Sequence, residues 1–187
     1  MKYLIAGLGN IGAEYVNTRH NIGFDVAEIL TKELKGETNV EKLAIVSRVK
    51  YKGRVLVIIK PTTYMNLSGK AIKYWLEKEK IPIERLLVIH DDIALPTGTL
   101  RMKAKGGDAG HNGLTDIIYK IGTSIFPRLR IGVGDNFPKG RQADYVLGQW
   151  TKSEEILMNQ RADIATEMVK SFVSIGIERT MTGYNNK

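Results

Sequence analysis

Short aliphatic runs alternate with amphipathic stretches along this chain, regularly enough to predict most of its elements. Lys2 to Ala6 reads as a buried strand, followed by a long polar loop and a helix from about Ile22 to Lys35. Ile22, Val26, Ile29, Leu30 and Leu34 supply that helix with an apolar stripe at helical spacing. Asn21 is placed to cap it and Gly36 to end it. Leu43 to Tyr51 and Arg54 to Lys60 are rich in β-branched residues and meet at Lys52-Gly53, the pattern of two strands joined by a tight turn. Pro61 stops the second strand, and Ala71, Ile72, Trp75 and Leu76 mark a helix that begins near Leu67 or Ser68.

Leu86 to Ile89 is a short strand running into His90-Asp91-Asp92, and Thr99 to Ala104 alternates as a strand does. A glycine-rich loop from Gly106 to Gly110 leads to a helix with Leu114, Ile117, Ile118 and Ile121 on one face. Arg128 to Val133 supplies a further strand, Asp135 to Gln142 a polar loop, and Ser153 to Ser174 a closing helix with Ile156, Leu157, Ile164, Met168 and Phe172. This order predicts an α/β fold, one domain over residues 1–187, with a mixed twisted β-sheet and helices on both faces. In such sheets, sites gather in the loops beyond the carboxyl ends of strands.

The first such loop opens with Gly7-Leu-Gly-Asn-Ile-Gly12, which spells Gly-x-Gly-x-x-Gly. In a dinucleotide fold the last glycine opens a helix and an acidic residue follows about 20 residues later at a strand end. Here a polar stretch follows Gly12, and the region around Thr31 to Glu33 lies inside the predicted helix. The dinucleotide reading is therefore disfavoured, and the glycines need another reason.

Composition narrows the choice further. With 187 residues, 43% hydrophobic and 26% charged, the chain can bury a core of ordinary globular size. The longest aliphatic run, Val55 to Ile59, falls far short of the roughly 20 residues that cross a bilayer, and no secretory h-region is recognisable, so a cytoplasmic protein is expected. The absence of cysteine removes thiolate nucleophiles, thiolate metal sites and disulfides. The net charge is +8, and the segment Arg101 to Arg141 holds eight basic residues against three acidic. Such a field attracts polyanions, although a solvated basic surface would look the same. Aromatic content of 7% is too low for a row of base-stacking platforms.

The candidate chemistry lies in loops. His20, His90 and His111 each sit beside small or polar residues, while Asn10, Asn66, Asp91 and Asn112 follow successive strands or open a helix. A neutral imidazole can take a proton from water, and an adjacent carboxylate fixes its tautomer. Asparagine amides can donate to a developing oxyanion. Together these make a plausible hydrolytic site that uses water directly. No Gly-x-Ser-x-Gly elbow and no Walker loop is present. Three histidines with Asp91 and Asp92 could hold zinc or manganese, but the short-range ligand pairs common in such sites are missing.

The segments GLGNIGAEYVNTRHNIGF, KPTTYMNLSGKA, VIHDDIALPTGTLRMKAKGG, GHNGL, RLRIGVG and DYVLGQW, taken together and in this order, resemble the bacterial-type peptidyl-tRNA hydrolase family over about residues 3–150. The resemblance implies cleavage of the ester between peptide and tRNA, a role in translation and ribosome rescue, and no metal or organic cofactor. It implies His20 as general base, Asp91 as its orienter, and Asn10, Asn66 and Asn112 as amides that hold substrate and water. Tyr15 and Met65 match residues that line the region for the tRNA end and peptide, Asn21 a polar residue beside the base, and His111 a neighbour of the site. Lys103 and Arg130 match a pair that clamps the 5'-terminal phosphate, with Lys105 a nearby helper. The expected partner is thus the acceptor stem and CCA end of peptidyl-tRNA, bound by a monomer without a membrane. A lysine point charge and an arginine fork can measure a phosphate without reading bases.

Two departures from the family pattern stand out. Ile11 replaces proline behind Asn10, and Asp108-Ala109 replaces a more glycine-rich pairing in a loop expected to gate the substrate. Asp92 reads as a cap or surface partner rather than a second base. A noncatalytic RNA-binding module that keeps the same cleft is the alternative from another class.

Overall fold

A computed structural model describes residues 1–187. The chain runs β1 (Lys2–Gly7), α1 (Ile22–Glu33), β2 (Thr38–Glu41), β3 (Ala44–Tyr51), β4 (Arg54–Pro61), α2 (Ser68–Glu79), β5 (Leu86–Asp92), β6 (Leu100–Lys103), α3 (Asn112–Ile121), β7 (Arg128–Gly132), α4 (Gln142–Val146), α5 (Lys152–Ile175) and α6 (Ile177–Tyr184). The seven strands form one sheet in the order β2-β3-β4-β1-β5-β7-β6. The four central strands, β4, β1, β5 and β7, are parallel, and antiparallel strands close both sides. The α/β fold with a mixed sheet expected from the sequence is the one observed.

Both faces of the sheet are covered. Ile5, Val26, Leu30, Leu87, Ile89, Met168 and Phe172 belong to the core under α1 and α5. Leu4, Ala6, Ile72, Trp75, Val88, Leu114 and Ile117 form the core under α2 and α3. Adjacent residues of β1 thus enter different cores, which is why the strand reads as an unbroken apolar run.

Several elements differ from expectation. β2 carries the polar residues Thr38, Asn39 and Glu41, is largely exposed, and exists because its backbone pairs with β3. No apolar period announces such an edge. α4 spans only 5 residues, too few to show a helical stripe. The C-terminus continues past Gly176 into α6. Asn21 does not cap α1 with its side chain. Its amide is engaged by Asn10, and the 3-10 turn Arg19–Asn21 leads straight into the helix.

The opening glycines work mainly by close approach. A Cβ on Gly7 would stand 2.1 Å from the Gly23 carbonyl oxygen, and one on Gly23 would stand 2.5 Å from the oxygen of Ile89. β1, α1 and β5 therefore meet through bare backbone. Of the three glycines in the motif only Gly12 needs a positive φ, at 124°.

Candidate active site

The parallel strands end on one edge of the sheet, and the polar residues that follow them converge there. Asn10 lies three residues beyond β1, Met65 and Asn66 follow β4, and His90, Asp91 and Asp92 close β5. His20 comes from the 3-10 turn before α1, and His111 and Asn112 stand at the start of α3. All of them line one cleft of about 430 Å³, within the size range of small-ligand sites.

Asp91 is 2% exposed and sits between two imidazoles. His20 Nδ1 is 2.8 Å from both of its carboxylate oxygens, and His111 Nε2 is 2.9 Å from Oδ1. Burial alone would raise the Asp91 carboxyl, but the two imidazoles outweigh it, through the positive charge each carries when protonated and through their hydrogen bonds, and favour the ionised group well below the usual carboxylate range. An ionised carboxylate only accepts, so His20 Nδ1 carries hydrogen, and in the neutral ring Nε2 is the nitrogen with the lone pair. A neutral ring held this way can accept a proton at Nε2.

His111 is fixed in the opposite sense. Its Nδ1 accepts from the backbone N–H groups of Gly113 and Leu114 at 3.1 and 3.2 Å, capping α3. The hydrogen must then lie on Nε2, where it points at Asp91. The ligand atoms of His20, Asp91 and His111 lie within 4.8 Å of one another, close enough to hold a metal ion. A cation would need the lone pair on His111 Nε2, and freeing it would protonate Nδ1 and break the cap. These tautomers suit the handling of protons better than the binding of a metal.

His90 packs edge-on against His111 with ring centroids 5.1 Å apart. Burial, with His111 nearby, pushes its imidazole down to about 3, so it is neutral. Its Nδ1–H donates to the backbone oxygen of Asp91 at 2.8 Å, which buttresses the strand end carrying the carboxylate.

Asn10 is positioned through both backbone and side chain. Its N–H donates to Asn21 Oδ1 at 2.8 Å, and its carbonyl accepts from Asn21 Nδ2 at 2.9 Å. Its own Oδ1 accepts from the Met65 N–H at 2.7 Å. That bond settles which amide atom is oxygen and leaves Nδ2 as a donor for the cleft. Asn21 itself stands behind Asn10 rather than in the cleft lining, and Tyr15 is also outside it.

Lys103, Lys105 and Arg130 lie beyond the cleft, toward the β7–β6 side of the sheet. β6 pairs with β7 so that Lys103 faces Arg128 and Arg101 faces Arg130. Lys103 and Arg130 are therefore diagonal neighbours on one face of the sheet. Arg130 donates through Nε to Asp92 Oδ2 at 2.7 Å, which leaves its outer nitrogens available. Asp92 also lines the cleft, and so links this basic face to the site. It accepts from the Ala94 N–H as well, in keeping with a partner rather than a base. Lys105 is exposed.

Residues 108–110 form one rim of the cleft. The Asp108 carboxylate accepts from the Gly110 N–H at 2.9 Å, and Ala109 has φ 48°, in the left-handed region where glycine is preferred. The departure from a glycine-rich loop thus falls on a position that resists it. The opposite rim, formed by Gln142, Ala143, Val146 and Leu147, lies on and just after α4 and was not anticipated as part of the site. Arg19, which ties that rim to the turn carrying His20, was not anticipated either. The signals were two family-like segments, Gly7 to Phe24 for Arg19 and Asp144 to Trp150 for the rim, and the chemistry of neither residue set is evident from the letters.

An imidazole hydrogen-bonded to a buried carboxylate, with amide side chains in the same cleft, is an arrangement that can activate water, as a hydrolase requires. The model of the peptidyl-tRNA hydrolase family matches residues 4–187. The peptidyl-tRNA hydrolase of Parabacteroides distasonis is 52% identical over 187 residues, covering 100% of both chains. That of Cytophaga hutchinsonii is 52% identical over 188 residues, again with 100% of each covered. The crystal structure of peptidyl-tRNA hydrolase from Acinetobacter baumannii has a TM-score of 0.92 at 36% identity, covering 96% of this chain and 92% of that one. The chain belongs to the peptidyl-tRNA hydrolase family.

Proposed function

We propose that this chain hydrolyses the ester joining a peptide to the ribose of tRNA, with His20 as general base. The observation that carries the reading is the bond from His20 Nδ1 to Asp91 at 2.8 Å, beside Asn10 and Asn112 in one cleft. Nε2 of His20 takes a proton from water as its oxygen attacks the ester carbonyl. The carbonyl oxygen gains negative charge, and the amides of Asn10 and Asn112 stabilise it by donation. The tetrahedral centre then expels the ribose oxygen, which recovers the proton from Nε2, giving free tRNA and a peptide carboxylic acid that loses its remaining proton to solvent. Asp91 steadies the imidazolium without being protonated itself. Asn66 and Met65 line the path for the CCA end and peptide.

In the same reading, Lys103 and Arg130 hold the 5'-terminal phosphate of the acceptor stem, and Lys105 adds only to the general field. No helix is long and apolar enough to cross a membrane.

The test is release of peptide from labelled peptidyl-tRNA. His20→Ala is expected to lose about a hundred- to ten-thousandfold in kcat, the typical contribution of general-base action, while tRNA binding is retained. Asp91→Asn presents an amide donor to Nδ1, forces the wrong tautomer and is expected to cost on the order of ten-thousandfold. A His20→Ala protein of normal turnover would remove His20 from the mechanism. A wild-type chain that binds tRNA yet releases nothing would favour the noncatalytic RNA-binding module.

A further inference from the structure

We infer that Arg19 is a positioning residue: it pins the α4 rim of the cleft to the turn that carries His20, and so sets the gap in which water and ester meet. The inference rests on the proposed role of His20 and extends it to a residue that touches no substrate.

Arg19 precedes His20 in the same 3-10 turn, and only 8% of it is exposed. Nη1 donates to the Tyr145 carbonyl at 3.0 Å, and Nη2 to Glu154 Oε1 at 2.8 Å. The guanidinium lies 4.1 Å from the centroid of the Tyr145 ring and 5.6 Å from that of Trp150. The backbone joins in, for Arg19 N–H donates to the Gly148 carbonyl at 3.1 Å. Thr18 makes an isolated bridge with Gln149, whose side chain donates to the Val16 carbonyl. One side chain thus holds three parts of a distant segment: the end of α4, the link after it, and the first turn of α5.

Glu154 serves both ends of this clasp. The oxygen that accepts from Arg19 also accepts from the Thr151 N–H at 2.9 Å, within the capping box of α5. The rim has few other anchors, chiefly the Tyr145 hydroxyl donating to the Val133 carbonyl. Stability alone gives a poor reason for this arginine. A buried ion pair is often no more stabilising than apolar side chains of like volume, and Arg19 Nε is buried without a partner. A planar fork can, however, join two acceptors at fixed angles while stacking on a ring, which an apolar side chain or a lysine cannot do.

The experiment compares Arg19→Met, Arg19→Lys and Glu154→Gln with wild type. Glutamine keeps the capping box and removes only the ionic end of the clasp. kcat and KM are measured on labelled peptidyl-tRNA, with tRNA affinity, Tm and the low-field proton resonance of His20 Nδ1–H. Both Arg19 variants are expected to lose about ten- to a hundredfold in kcat, the scale of a reacting group misplaced by about an ångström. KM and tRNA affinity should stay within about threefold. The His20 resonance should shift or broaden, and Glu154→Gln should move kcat and the resonance the same way by a smaller amount.

A role confined to stability would lower Tm and leave kcat per folded molecule and the resonance unchanged, which overturns the inference. So does a loss confined to KM. Should Arg19→Met not fold, Arg19→Lys decides, and its having wild-type kcat overturns the inference as well. Inactive His20→Ala with fully active Arg19→Met would sink this inference alone, whereas active His20→Ala would sink the reading beneath it.

Discussion

Asn21 holds the backbone of Asn10 from both sides, accepting its N–H at 2.8 Å and donating to its carbonyl at 2.9 Å. The amide thus stands in for a strand partner just where β1 has run out, and it keeps Asn10 facing the cleft. Removing it orphans two buried backbone groups at once.

For Asn21→Ala we expect destabilisation of about 2 kcal/mol, since each unsatisfied buried group costs on the order of 1–3 kcal/mol and the two share one site. We also expect a lower kcat as Asn10 drifts. Asn21→Asp should be no better, because it keeps the acceptor, loses the donor and sets a carboxylate against the Asn10 carbonyl. Urea denaturation and turnover of the two variants check this. Wild-type values for Asn21→Ala would show that Asn10 is held by Met65 alone.

Lys103→Ala and Arg130→Ala should each weaken tRNA binding and flatten its salt dependence. Each lost phosphate contact is expected to change the slope of log affinity against log salt by about 0.7 to 0.9. A minimal ester substrate without a 5'-phosphate should be cleaved by both variants at close to the normal rate. Equal losses on the two substrates would rule out a phosphate clamp.

A pH dependence of stability is expected from Asp25. Burial, with the nearby charge of Glu28, raises its carboxyl from 3.8 to about 7 despite the opposing effect of Lys60. The folded chain then keeps this proton where the unfolded chain has released it, so folding loses stability as pH rises from about 4 to about 7. Asp25→Asn should remove that loss and gain on the order of 1 kcal/mol at pH 8, allowing for the partial exposure of the group. Denaturant titrations of both proteins at pH 4.5, 6 and 8 give the difference. A gap that does not widen with pH would mean that Asp25 ionises normally in the fold.

The sequence by itself determined the elements whose faces are buried. The unbroken run in β1 and the stripe of α1 are local properties, because each face must meet one core, and their periods show in the letters. That Asn10, Asn66 and Asp91 follow strand ends was likewise readable, and in a parallel sheet such ends share one edge. Only the tertiary structure decided which of these residues touch. His20 and Asp91 are 71 positions apart, and Arg19 and Glu154 are 135 apart. Strand order and helix packing close those distances, and no local pattern encodes a hydrogen bond of that span. The tautomers of His20 and His111 follow from the same contacts, as does the exposed strand β2, which pairs by backbone alone. The physical reason is that burial leaves a periodic trace in a sequence, whereas a hydrogen-bond partner is chosen only when the chain has folded.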